Sequence, residues 1–214
     1  MTNTLPLDTL HQMSAITKTP VFPTEPVFPL SVEQYHAMIE SGTLTDDDPV
    51  ELIEGVLVFR MPKNPPHAMS VGHFQDFVPA KLAPGWIVRL QEPLTLADGE
   101  PEPDVVIARG VRRDYSKRHP GPQDTGLVVE VADSTLARDR GMKLRSYARA
   151  GIAHYWIVNI PDRVIEMYSD PFVGDNMPAY RTRRDAASSE MVTLPADIGG
   201  ATILASELFE PSEA

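Results

Sequence analysis

Asp104, Glu130 and Lys143 are the residue types that metal-assisted phosphodiester hydrolysis requires, spaced along the middle of the chain. Two carboxylates can grip one divalent cation. Such a cation polarises a phosphate and acidifies its water, while a nearby ammonium positions the nucleophile or stabilises developing charge. Glu130 stands out because it interrupts the apolar run Leu127-Val128-Val129-Glu130-Val131-Ala132. An unpaired carboxylate buried there is costly, so it demands a metal, a cationic partner or a shifted pKa. The expected cofactor is Mg²⁺ or Mn²⁺. Glu54, beside Gly55, is a candidate third metal ligand.

These side chains must be positioned by two short strands and a helix. Pro103–Ala108 and Leu127–Ala132 flank a long basic loop. If they pair as an antiparallel hairpin with Ala108 opposite Leu127, Asp104 falls opposite Val131 and next to Glu130, within the roughly 5 Å cross-strand reach of a shared cation. A helix over Ala137–Ala150 follows, with Leu144, Tyr147 and Ala148 on its apolar stripe and Lys143 at the stripe's edge. The lysine stem can then run along the sheet while its ammonium reaches the carboxylates. Tyr147 shares that stripe and is a candidate substrate contact. Asp133, Ser134 and Asp139 sit where a helix begins, so capping is their first explanation.

Upstream, Ser31 with Gln34 three residues on, and Gly42 at the far end, predicts a capped helix. Val50–Phe59 reads as two short strands broken at Gly55, His67–Leu82 as a helix and Trp86–Leu96 as a strand. Downstream, Ala153–Asn159 is a buried strand that pairs with Arg163–Tyr168. Weaker strand signals follow at Tyr180–Arg184, Met191–Leu194 and Thr202–Leu204, with a helical turn near Glu207.

At 214 residues and 42% hydrophobic, the chain suits one core. We expect a proline-rich arm over 1–30, a single domain over 31–210 and a tail over 211–214. There is no cysteine, so a metal would be held by oxygen or histidine. The net charge of −11 argues against a non-specific nucleic-acid coat. Local basic clusters exist at Arg109, Arg112, Arg113, Lys117, Arg118 and His119, and again from Arg138 to Arg149. No apolar stretch approaches the roughly 20 residues that cross a bilayer. A cytoplasmic protein without a membrane partner is expected.

The ordered set Glu51-Leu52-Ile53-Glu54-Gly55, Pro62–His67, Glu102-Pro103-Asp104, Val129–Ser134, Asp139–Lys143 and Tyr147–Val158 resembles the Uma-two family of restriction-endonuclease-like proteins, within the PD-(D/E)xK nuclease superfamily. The resemblance covers roughly Ser31 to Tyr168. It implies an α/β fold with a restriction-endonuclease-like core, a central mixed β-sheet flanked by helices, and Mg²⁺-dependent cleavage of DNA. It also suggests that His67 contacts phosphate or a metal's outer ligands, and Arg140 is a candidate substrate contact in the Lys143 motif. One departure matters: the usual E-x-K position, two residues after Glu130, is Ala132. The resemblance implies that the lysine has moved to the helix as Lys143. The main rival is a nuclease-derived binding or assembly protein that cleaves nothing, such as a homodimer through a sheet edge, which the acidic charge favours. A hydrolase of smaller phosphoesters is a third reading.

Overall fold

The computed structural model describes residues 26–174 and 177–209. Of the arm expected over 1–30 only residues 26–30 are among them, and the expected tail over 211–214 lies outside the described residues. The chain forms α1 (Val32–Glu40), β1 (Val50–Ile53), β2 (Val56–Phe59), α2 (Pro65–Phe77), β3 (Trp86–Leu90), β4 (Val105–Arg109), β5 (Thr125–Ala132), α3 (Leu136–Arg138) and α4 (Leu144–Arg149). Then come β6 (His154–Asn159), β7 (Val164–Gly174), β8 (Met177–Ala187), β9 (Met191–Thr193) and β10 (Thr202–Leu204).

Six strands form the central sheet in the order β3-β4-β5-β6-β7-β8, and two small hairpins, β1-β2 and β9-β10, flank it. Every neighbouring pair is antiparallel except β5 and β6. A parallel pair cannot be closed by a tight turn and needs a crossover. Here the crossover is the segment from α3 to α4, which carries Asp139, Lys143 and Tyr147 across one face of the sheet.

Strand alternation sorts the core into two layers. Val105, Ile107, Leu127, Val129 and Val131 pack with Val71 and Phe74 of α2 and with β9 and β10. Val106, Ala108, Val128, Tyr155 and Ile157 pack beneath Tyr147 and Ile152. The even positions of β5 therefore face the crossover, and Glu130 is one of them.

The β4–β5 register differs from expectation by one residue. Ile107, not Ala108, pairs with Leu127, and Ala108 pairs with Thr125, so Gly126 is an extra residue at a bulge. With Val105 opposite Val129, the next position brings Asp104 alongside Glu130 itself. Gly126 also has no room for a side chain: an added Cβ would lie 2.3 Å from Ile198 Cγ2 and 2.9 Å from Trp86 Cζ3. Gly126→Ala is expected to lower unfolding free energy by about 1–3 kcal/mol, as overpacked cores do, read as a shift in urea midpoint. An unchanged midpoint would mean that the two side chains move aside freely.

Three other expectations are adjusted. The helix expected over His67–Leu82 starts at Pro65 and stops at Phe77, because Pro79 cannot continue it and instead starts a single 3₁₀ turn. The strand expected over Trp86–Leu96 ends at Leu90, where Gln91 adopts a positive φ of 52°. The helix expected over Ala137–Ala150 is broken by a π-turn at Asp139–Lys143, within which the Leu144 N–H donates to the Asp139 carbonyl.

Candidate active site

Each acid of the site is fixed by a different element. Asp104 stands just before β4. Its Oδ2 accepts the Val131 N–H at 2.9 Å, so the carboxylate takes a backbone donor of β5. Its Oδ1 lies 3.1 Å from His67 Nε2 and accepts from Gln91 Nε2 at 3.3 Å. Burial pushes the Asp104 carboxyl up, but His67, Lys143 and the Val131 N–H more than offset it and hold it below the ordinary carboxylate range. His67 reaches this place because Asn64 caps α2, its side chain accepting the His67 N–H at 3.1 Å.

Glu130 is 2% exposed. Its Oε1 accepts from Lys143 Nζ at 2.9 Å and from the Tyr147 hydroxyl at 2.6 Å. Lys143 and Tyr147 are four residues apart, one helical turn, so both project onto the same carboxylate. Oε2 has no hydrogen-bond partner among the described residues. Burial pushes the Glu130 carboxyl up to about 8, against the pull of Lys143 and with the push of Asp104, Asp139 and Glu51.

Lys143 is 4% exposed and answers to more than one acid. Its Nζ is also 3.6 Å from Glu51 Oε2. Burial favours the neutral amine, but Glu130, Glu51, Asp139 and Asp104 together outweigh it and raise its pKa, so the lysine stays charged. The position left vacant by Ala132 is thus filled from above the sheet: the crossover puts an ammonium within hydrogen-bonding distance of Glu130.

Sequence reasoning passes over Glu51. It interrupts the apolar run Val50-Glu51-Leu52-Ile53 as Glu130 interrupts its own strand, and that signal could have found it. It is 2% exposed, accepts the Glu102 N–H at 3.0 Å and lines the same cleft. Asp139 does not cap a helix N-terminus; Thr135 holds that position on α3. Asp139 sits in the π-turn, 2% exposed, where it accepts from the Thr135 hydroxyl at 2.5 Å, and burial raises its carboxyl. π-turns recur at functional sites because they re-aim side chains.

Two predicted site residues lie elsewhere, and a third, Tyr147, reaches the site only from within the core. Glu54 is at the tip of the β1–β2 hairpin, where it and Gly55 have φ of 50° and 75° in a two-residue turn. That turn aims Glu54 at α4, where Arg145 binds it at 2.7 Å and Arg149 at 3.0 Å, away from the cleft. Arg140 is held by the buried carboxylate of Glu166 on β7, its Nε donating at 3.0 Å and its Nη2 at 2.5 Å, and it does not line the cleft. Tyr147 is fully buried, donates to Glu130 and does not line the cleft. Burial also raises the Tyr147 phenol well above its ordinary range, which keeps it a donor.

Asp104, Glu130, Lys143, His67, Glu51 and Asp139 line one open cleft of about 420 Å³. Among the described residues no three histidine or carboxylate donors converge into a ready-made metal cage. The fit to Mg²⁺ or Mn²⁺ is of another kind. Four buried or nearly buried carboxylates, all hard oxygen donors, face one lysine, and Glu130 keeps one oxygen unbonded. Mg²⁺ is commonly held by one or two carboxylates, with waters and substrate phosphate completing its shell. Asp104 and Glu130 suit that arrangement.

Fold and site together define an α/β protein of the restriction-endonuclease-like type. The chain belongs to the Uma2 family, whose model, described as "Putative restriction endonuclease", matches residues 32–206. Among solved structures it is similar to "a putative nuclease belonging to DUF820 from Anabaena variabilis ATCC 29413", with a TM-score of 0.57 and 12% identity over 84% of this chain and 97% of that one. At that identity the likeness bears on the fold. No curated protein matches the sequence. Among the described residues no helix is long and apolar enough to cross a membrane.

Proposed function

We propose that the chain is a metal-dependent endonuclease that hydrolyses DNA phosphodiester bonds in this cleft. The observation that carries the reading is the placement of Asp104 beside Glu130 on adjoining strands, with the Lys143 ammonium 2.9 Å from Glu130 at the cleft wall. Asp104 and Glu130 would hold Mg²⁺ or Mn²⁺. The ion would supply Lewis acidity at the phosphate and a more acidic water.

The remaining chemistry belongs to the chain's own residues. Lys143 keeps its proton, because its acidic neighbours hold it charged, so it acts as a fixed positive group facing the charge that builds up on phosphate. Tyr147 and Lys143 both fix Glu130 Oε1, which leaves Oε2 for a ligand. His67 and the Val131 N–H keep Asp104 ionised and aimed. Glu51 adds a second buried carboxylate 3.6 Å from the Lys143 ammonium.

The test is nicking of supercoiled plasmid by purified protein with Mn²⁺ or Mg²⁺, with EDTA as control. Wild-type nicking that stops in EDTA and falls at least about 100-fold in Asp104→Asn is expected, the loss of a metal-binding charge costing a few kcal/mol of transition-state stabilisation. Nicking that is insensitive to EDTA, or equal in the variant, overturns the reading. A folded wild type with no cleavage under either metal would favour the nuclease-derived binding protein.

A further inference from the structure

We infer that the loop from Gly110 to Pro120 is a docking surface for the sugar–phosphate backbone of duplex DNA flanking the cleaved bond. The inference rests on the nuclease reading above. Its starting point is charge. This loop carries Arg112, Arg113, Lys117 and Arg118 against Asp114 alone, a net +3, while the chain as a whole is −11 and the rest therefore −14. A polyanion approaching so acidic a protein needs a local cationic foothold, because affinity for DNA comes mainly from phosphate neutralisation and counterion release.

The loop is built, not merely solvated. Asp114 Oδ2 accepts the Val111 N–H at 2.9 Å and the Tyr115 hydroxyl donates to the Arg109 carbonyl. Two guanidiniums pack on the Tyr115 ring, Arg89 at 5.0 Å and Arg118 at 5.2 Å from its centre. Arg118 is itself tied to Asp124 at 2.5 Å, so it serves as a strut. Arg113 and Lys117 differ: both are exposed, and neither has a carboxylate partner among the described residues. Lys117 opens onto a cavity of about 680 Å³ that it shares with His36, Tyr115 and His119. Fixed scaffolding under free cations lowers the ordering cost of binding.

Its position suits a strand already seated at the site. Gln91 lines the catalytic cleft and bonds Asp104, while the next residue, Glu92, pairs with Arg112 at 3.3 Å. Adjacent residues therefore tie the cleft wall and the loop together, Gln91 through Asp104 and Glu92 through Arg112. Phosphates recur on each DNA strand at a rise of about 3.4 Å per nucleotide, so a duplex seated in the cleft presents a continuous row of phosphates to a loop tied to the cleft's edge.

Binding of a fluorescent 20-base-pair duplex in EDTA, across a NaCl series, tests this. The double variant Arg113→Glu/Lys117→Glu is expected to bind at least tenfold more weakly, with the slope of log affinity against log salt reduced by about 2. Arg184→Glu, an exposed change of the same sign on β8, should lose less than twofold. Equal losses from Arg184→Glu, or an unchanged double variant, overturn the docking surface. Wild type without salt-dependent binding also overturns it, and plasmid nicking then shows separately whether the nuclease reading survives.

Discussion

Lys143→Met is expected to lower unfolding free energy by about 3–5 kcal/mol and cleavage by at least about a thousandfold. The stability loss follows from what the lysine leaves behind. Glu130, Glu51, Asp139 and Asp104 all act on its ammonium, and at about pH 8 and above, where Glu130 is ionised, removing it strands this buried negative charge. Breaking a buried ion pair from one side costs far more than the pair is worth, because the remaining charge keeps its desolvation penalty. The double variant Lys143→Met/Glu130→Gln should therefore recover most of the stability, since it removes the acid nearest the lysine as well. It should recover none of the cleavage. Urea unfolding and plasmid nicking on the same preparations read both quantities. If the double variant is as unstable as the single one, the lysine is held by something other than its charge partners.

That separation between stability and activity shows how the site uses its topology. The parallel β5–β6 pair obliges the chain to cross over the sheet, and the crossover passes above Glu130. A lysine on β5 would emerge from the same strand as the glutamate. Lys143 instead approaches from the helical layer, so its contact with Glu130 depends on the docking of a separate element. The π-turn at Asp139–Lys143 and the Arg140–Glu166 pair at its outer side fix that element. Arg140, expected to meet substrate, thus supports the site from behind.

Much of this was legible in the residues. An acid inside an apolar strand pointed to Glu130, and the hairpin around the basic loop brought Asp104 to it. The apolar stripe of the crossover helix predicted the direction of Lys143. What was hidden depended on partners distant in sequence or on local irregularity. Nothing in the composition near Gly126 revealed a bulge, nor the close approach of Ile198 and Trp86 that leaves no room for a side chain there. Glu54 and Glu51 are three residues apart in one motif, and only the two-residue turn after Ile53 sends Glu54 to Arg145 and Arg149 and leaves Glu51 inside. The link of His67 to Asp104 spans the rest of α2 and strand β3, so no spacing in the sequence shows it. The π-turn had no sequence signal beyond Gly141.

Metal-free protein should lose stability as pH rises from about 5 to about 8, and Glu130 is the reason. Its carboxyl is pushed up to about 8 in the fold from an ordinary 4.5. Between those values the folded state binds a proton that the unfolded chain has released, so the stabilisation is full below the lower value and is lost through the upper one. The slope reaches about 1.4 kcal/mol per pH unit for one such group. Asp139, raised by burial, adds in the same direction. Asp104 is lowered, so its contribution is lost only as pH falls below the ordinary carboxylate range, outside this window. Lys143 remains charged throughout. Glu130→Gln cannot titrate: its stability should be flatter in pH and should exceed that of the wild type near pH 8 in EDTA. Mn²⁺ should reverse the order. A divalent ion competes with the proton for Glu130, so it stabilises the wild type most at high pH, by about 2.7 kcal/mol at a hundred times its Kd, and stabilises the glutamine variant much less. Urea midpoints from pH 5 to 9, with EDTA or Mn²⁺, decide the matter. A wild type whose metal-free stability climbs toward pH 8, or a glutamine variant that keeps the full slope, would place the titrating proton elsewhere in the cleft.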